Sequence, residues 1–380
     1  MKKNFTLALL VILVAVASCS FTNKSFENDD KDKLLLDLIT YVLEKGHYEP
    51  KNLNDRFSSN VFDDIIDILD TTKRYILASD IRDLEKYRFQ IDDEIKNTDI
   101  TFFNIVYQRL MKRMGEAEDI YKEVLDKPFD YTQDETIDVD YKDQEYAASK
   151  KQLKERWRKQ LKYNTLGVFN TKVQNRISDG ADEASKDKAI SYRSIPKSVD
   201  VANVELESRE STDSTLDEFF DFINDLERKD WFEQYINTMV DEFDPHTYYF
   251  PPDDKEKFDI GMSGKFEGIG ARLQKKPEGA KVVEIISGGP VWRAKSLEVG
   301  DEILKVGQEG EEAINIVGMR LDDAIKLIKG PKGTTVNLTV RRVDGSLEEV
   351  SIQRDVVMLE ESYAKSATVK EENKKYGLIN

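Results

Sequence analysis

The feature that most constrains this fold is a change of pattern at Gly261. Before it, from Leu34 to about Tyr163, apolar residues recur every three or four positions with almost no glycine or proline; after it, glycine and β-branched residues dominate. The first pattern specifies helices with one apolar face, and the second specifies short strands joined by tight turns. At 380 residues the chain is long enough for two or three separate cores.

From Leu34 to about Tyr163 the helical stripes are explicit: Leu35, Leu38, Ile39 and Val42 make one, and Phe62, Ile65, Ile66 and Leu69 another. Ser79-Asp80 predicts an N-cap before Ile81, and Lys127-Pro128 closes a long helix that starts near Ile100. A helical bundle over 34–177 is the expectation. The basic run Lys150–Lys162 reads either as a patch for anionic surfaces or as the solvated face of a helix. The i, i+4, i+8 spacing of Leu153, Trp157 and Leu161 favours the helix, with those three packed inward. Residues 178–215, rich in Ser, Asp, Lys and Glu, read as a loosely packed linker with room for one helix. A further helical segment spans 216–262; its amphipathic part, Leu216–Glu242, ends where three prolines in Asp244–Pro252 forbid continuation.

The N-terminus has the three parts of an export signal: Lys2 and Lys3, the apolar stretch Phe5–Ala17, and small residues at Ala17 and Ser18. The apolar run is shorter than the roughly 20 residues of a spanning helix. Cys19 follows at once and is the only cysteine, so no internal disulfide can form. Val16-Ala17-Ser18-Cys19 resembles the bacterial lipobox, which implies a signal peptide over 1–18, lipidation at Cys19 and a polar tether over 19–33. Export to the bacterial cell envelope, on the periplasmic side and held to a membrane by the N-terminal lipid, is the resulting expectation.

A formal net charge of −17 repels phosphate backbones, so nucleic acid is not an expected partner. With two histidines, His47 and His246, and the one cysteine at the N-terminus, no metal-ligand set is expected, and no cofactor. A structural role in the Asp244–Tyr248 turn is expected of His246.

In the glycine-rich region, Val282–Ile286 is a β-rich run that stops at Ser287-Gly288-Gly289-Pro290, and Val291–Lys295 reads as a helical turn. Val299–Val306 is turn then strand. Leu321–Lys329 is a helix with Leu321, Ala324, Ile325 and Ile328 on one face, closed by Gly330-Pro331. Val336–Val343 alternates, and Asp344-Gly345 turns it into Glu348–Arg354 as a hairpin. Gly289-Pro290, Val299-Gly300-Asp301-Glu302-Ile303-Leu304-Lys305-Val306 and Ile328-Lys329-Gly330-Pro331-Lys332-Gly333-Thr334 together resemble a PDZ domain, over 263–354. That resemblance implies a small barrel-like sheet with two helices. It also implies a site for polypeptide C-termini, in which amides of a glycine loop converge on the carboxylate and a strand edge pairs with the peptide. Gly268, Ile269, Gly270 and Ala271 supply the loop, Arg272 and Leu273 continue into the pairing strand, and Leu321, Ala324, Leu327 and Ile328 supply the facing helix. Leu327, off the core stripe, is the first candidate to face the ligand.

The chain as a whole is therefore expected to be α+β and multidomain. With Leu69–Ile81 (LDTTKRYILASDI), Asp244-Pro245-His246-Thr247-Tyr248, Phe266–Ala271 and Val317–Ala324 added, nearly all of it resembles the tail-specific branch of the C-terminal processing peptidases. These are serine peptidases with a Ser-Lys dyad and an inserted PDZ domain. Under that resemblance 355–380 begins a catalytic core, and Tyr376–Ile379 is its first strand, with no partner in this chain. No residue here matches the family's serine or lysine and no Gly-x-Ser-x-Gly elbow occurs, so no catalytic residue is assigned. Two readings stay open: the recognition portion of an envelope endopeptidase, inactive alone, and a lipid-anchored PDZ adaptor that captures C-termini without cutting.

Overall fold

The computed structural model describes residues 29–178, 195–276, 278–359, 366–371 and 374–379, the last two stretches for their backbone. The expected signal peptide over 1–18 and Cys19 lie outside the described residues. The chain divides between Tyr249 and Phe250 into two compact units.

The first unit is helical: α1 Asp29–Lys45, α2 Asp55–Leu69, α3 Ala78–Leu84, α4 Ile91–Lys96, α5 Thr101–Leu125, α6 Lys150–Ser178, α7 Val201–Asp225 and α8 Arg228–Asp241. Phe62, Ile65 and Ile66 of the expected α2 stripe are buried and Leu69 is half-buried against the core, and Leu153, Trp157 and Leu161 of α6 are buried as their spacing requires. Two other expectations are corrected. Helix α1 begins at Asp29, inside the supposed tether, with three aspartates in its first turn where the helix dipole favours them. Its buried apolar side chains are Leu36 and Leu43, with Leu35 and Ile39 of the expected stripe half-buried against the core, whereas Leu38 and Val42 are 54% and 61% exposed. This helix carries apolar residues on two arcs, and periodicity alone does not say which arc meets the core.

The second correction concerns 201–215: the one helix for which the linker had room is the first part of α7, and it is packed, not loose. Val204, Ser208 and Thr212 form a buried stripe of mostly small polar residues. Thr212 shares a hydroxyl–hydroxyl bond with Thr165 at 3.1 Å, while buried Glu205 accepts from the Phe129 amide at 2.9 Å. Hydrogen bonding hides this face from a reading based on hydrophobicity.

The segment around Leu69–Ile81 is a knot of caps. The carboxylate of buried Asp70 accepts the amides of Arg74, Tyr75 and Ile76 at 2.7–3.0 Å. Helix α3 starts earlier than expected, because Leu77 is its N-cap in place of Ser79-Asp80 and the Asp80 carboxylate accepts the Leu77 amide. Asp80 is also gripped by Arg113 through two bonds of 2.7 and 2.8 Å and by Arg109, a charge-assisted fork.

The second unit opens with α9 Pro252–Ser263, then β1 Lys265–Gly268, β2 Ala271–Lys276, β3 Gly279–Ile285, α10 Pro290–Ala294, β4 Glu302–Gln308, β5 Ile314–Asn315, α11 Leu321–Ile328, β6 Thr335–Arg341, β7 Leu347–Gln353, β8 Asp355–Met358, β9 Ser366–Glu371 and β10 Lys374–Ile379. The main sheet runs β2-β3-β4-β6-β7, with β5 beside β4. Val336, Leu338 and Val340 of β6 alternate into its core as the sequence requires. The Gly-Asp motif is a corner: Gly300 has φ +102°, and buried Asp301 accepts the Glu298 amide at 2.8 Å and an Arg342 N–H at 2.6 Å.

The expected barrel-like closure is absent among the described residues: the sheet is open, and β1 pairs with β8 in a separate ribbon. That ribbon brings Asp355–Met358, just beyond the expected end at 354, back against Lys265–Gly268. The last strand is not unpartnered either. β10 pairs antiparallel with β9 from Lys374↔Glu371 to Ile379↔Ser366, a local hairpin that the sequence reading passed over.

A candidate C-terminus-binding site

The glycine loop between β1 and β2 is held by its carbonyls. Ile269 O accepts the Val291 amide at 3.0 Å and Gly270 O accepts the Ile286 amide at 2.9 Å. The amides of Ile269 and Gly270 have no acceptor among the described residues. Gly270 sits at φ +81°, and a Cβ there would lie 3.1 Å from Gly289 Cα, so glycine is needed for both conformation and space. The Ile269 side chain is buried in the sheet core.

β2 is the outermost strand of its sheet, bonded to β3 on one side, which leaves a backbone edge for an added strand. Arg272 is exposed and pairs with its cross-strand neighbour Glu284 at 3.0 Å. Ala271 and Leu273 are half-buried against the core.

The facing helix α11 places the expected residues unequally. Ala324 and Ile328 are buried core residues, and Leu321 and Leu327 also pack against the core. The apolar residue that α11 turns to the open side is Ile325, which with Asp322 and Lys326 of the same helix lines a cleft of about 500 Å³ beside Ile260, Phe266 and Lys329. At 100° per residue, positions 325 and 327 lie on opposite flanks of the core-facing stripe, so Leu327 borders the other side of α11. The cleft adjoins the glycine loop, since a Cβ on Gly268 would lie 3.3 Å from the Phe266 ring and 3.8 Å from Lys329 Cγ.

Sequence reasoning also missed Arg354, which is 3% exposed. Its guanidinium donates to Ile328 O at 2.8 Å, Leu327 O at 3.0 Å, Gln308 Oε1 at 2.7 Å and Thr334 Oγ1 at 2.9 Å. Those carbonyls are the orphan acceptors at the C-terminus of α11, so Arg354 caps the helix that walls the site. Gly330 is bare for the same reason, because a Cβ would lie 2.9 Å from Arg354 Cζ. Burial lowers the arginine's pKa. The signal was present only as an arginine ending an alternating strand.

In the helical unit, His246 does hold a turn. Its amide and Nδ1 both meet Asp244 Oδ1, at 3.1 and 3.0 Å, and the Thr247 amide donates to Asp244 O. The bond from the imidazole keeps the Asp244 carboxyl below its usual range.

A profile described as the tail specific protease N-terminal domain matches residues 39–253, more than half of the chain. The chain belongs to the tail-specific protease family. A PDZ domain profile matches residues 258–341, which cover the glycine loop, β2 and α11. The tail-specific protease of Haemophilus influenzae is 28% identical over 352 residues, 92% of this chain and 46% of that protein. The carboxy-terminal processing protease CtpA of Bacillus subtilis is 32% identical over 130 residues, 34% of this chain and 27% of that protein. Among solved structures, the peptide complex of the PDZ domain of the Vibrio cholerae carboxy-terminal protease is 44% identical, covering 25% of this chain and 99% of that one with a TM-score of 0.24. The chain spans about half the length of the Haemophilus tail-specific protease.

Proposed function

We propose that this chain is the recognition portion of an envelope serine-type C-terminal processing endopeptidase, and that its PDZ domain grips the free C-terminus of a polypeptide substrate. The observation that carries the reading is the Gly268–Gly270 loop, with two amides lacking acceptors beside the free edge of β2. A carboxylate is an acceptor-only group that needs converging N–H donors, and an extended peptide satisfies its own backbone by pairing along an open edge. The cleft of Ile260, Phe266 and Ile325 suits an apolar terminal side chain. Protease activity is assigned to the family, and no residue of this chain is given a catalytic role.

Membrane attachment through Cys19 and a periplasmic location belong to the same proposal. They are supported by the lone cysteine standing directly after an apolar run and two small residues. Cys19→Ser should abolish palmitate labelling and release the protein from the membrane fraction; retained labelling would remove the anchor. For recognition, the full chain is titrated with a fluorescent decapeptide ending in Ala-Ala-Val, as free acid and as C-terminal amide. Tighter binding of the acid is expected, and equal binding of both would rule out carboxylate capture.

A further inference from the structure

Lys329 follows directly on α11 and lies beside Gly268, the first residue of the glycine loop. Its stem passes Gly268, its ammonium lies 5.8 Å from the centroid of the Phe266 ring, and it forms an ion pair of 3.2 Å with Glu256 Oε1 of α9. A second bridge, Lys257 to Asp322 at 3.1 Å, ties α9 to α11 on the same side. The two partners of the first pair differ in exposure: the lysine side chain is 28% exposed and the glutamate 60%. A pair this open to water contributes little, so the ammonium can change partner at small cost. The stem, by contrast, passes Gly268 beside the Phe266 ring, one residue before the two amides that lack acceptors.

We propose that Lys329 is the charged anchor for a ligand's C-terminal carboxylate, and that Glu256 is its placeholder in the empty site. This inference rests on the recognition reading above and deepens it. Glu256 and a peptide C-terminus present the same group, a carboxylate, so replacing one by the other conserves the pairing at the ammonium. The incoming group gains in addition the amides of Ile269 and Gly270, which a side chain from α9 does not satisfy. Selectivity for a free C-terminus then has two sources, backbone donors and one cation. Because α9 supplies the placeholder, ligand binding also releases one of its two bridges to α11.

The test uses the full chain and the same decapeptide as free acid and as amide, measured by fluorescence anisotropy. Lys329→Met keeps the apolar stem and removes the charge. It should weaken binding of the acid about tenfold, by the loss of one charge-assisted bond, and leave the amide unchanged. Lys329→Arg should restore most of the preference. Glu256→Gln should strengthen the acid by about two- to fivefold, as expected for removal of an exposed competing charge, without effect on the amide. A Lys329→Met chain that keeps the wild-type preference, or loses both peptides equally, overturns the anchor; unchanged binding in Glu256→Gln overturns the placeholder. If the wild-type chain itself binds both peptides equally, or neither, the recognition reading fails first and the anchor with it.

Discussion

Replacing Gly270 with alanine tests the loop directly. The perturbation is one methyl group, and two costs can be worked from the structure. At φ +81° an L-residue sits in the left-handed region, which costs roughly 1–2 kcal/mol. The methyl would also stand 3.1 Å from Gly289 Cα, 3.4 Å from Pro290 Cδ and 3.5 Å from Val357 Cγ2. The first of these atoms is backbone and cannot rotate away, and the bonds from Val291 and Ile286 hold the loop against it. Together the expected cost is about 2–3 kcal/mol, borne either as lost stability or as a loop shift that spreads the amides apart. A shift of the second kind should weaken free-acid peptide binding by roughly 10–100-fold. Gly318→Ala is the control: its φ is +75°, but nothing lies within 4 Å of the added carbon, so it carries strain without collision and should leave affinity unchanged. Anisotropy titrations and urea unfolding of both variants separate the two costs. A Gly270→Ala chain with wild-type stability and affinity within about twofold of wild type, less than 0.5 kcal/mol, would refute the loop as the carboxylate site.

Two further outcomes follow from buried ionisable groups. Arg354→Met strips donors from the carbonyls ending α11 and should destabilise the second unit by about 3–5 kcal/mol. Hydrogen exchange across α11 and β6 reports this, lysine at 354 should not rescue it, and unchanged protection would argue against the capping role. Glu94, buried in the helical unit and bonded to the Phe102 amide at 2.8 Å, has its pKa pushed up to about 7 by desolvation. An acid whose folded pKa is raised takes up protons on folding, so its penalty is absent below the unfolded value and grows as pH rises through about 7. Stability of the helical unit should therefore fall by on the order of 2–3 kcal/mol between pH 4.5 and 8, and Glu94→Gln should flatten that slope. An identical slope in the variant would place the pH dependence elsewhere.

Much of this architecture is legible in local pattern. The buried stripes of α2 and α6, the alternation of β6 and the Gly-Asp corner follow from periods of 3.6 and 2 and from the conformational freedom of glycine, all properties of neighbouring residues. The identity of the loop, Gly268–Gly270, was visible for the same reason. The failures share a cause as well. Helix α1 has apolar residues on two arcs, and only the packed unit selects Leu36 and Leu43 over Leu38 and Val42. The first half of α7 is buried through Ser208, Thr212 and Glu205, and the partners of the last two lie 47 and 76 residues away in sequence. At the site, Ile325 rather than Leu327 borders the cleft because of where α9 and β1 lie beside α11.

By itself, then, the sequence determined the kind of each element, the two folding regimes either side of Gly261 and the glycine loop, because those depend on steric preferences spanning a few residues. Only the tertiary structure decided which faces are buried, the pairing of β1 with a strand some 90 positions later, and the reach of Arg354 to the end of α11. These are long-range choices, in which a group's partner is set by the packing of the whole unit.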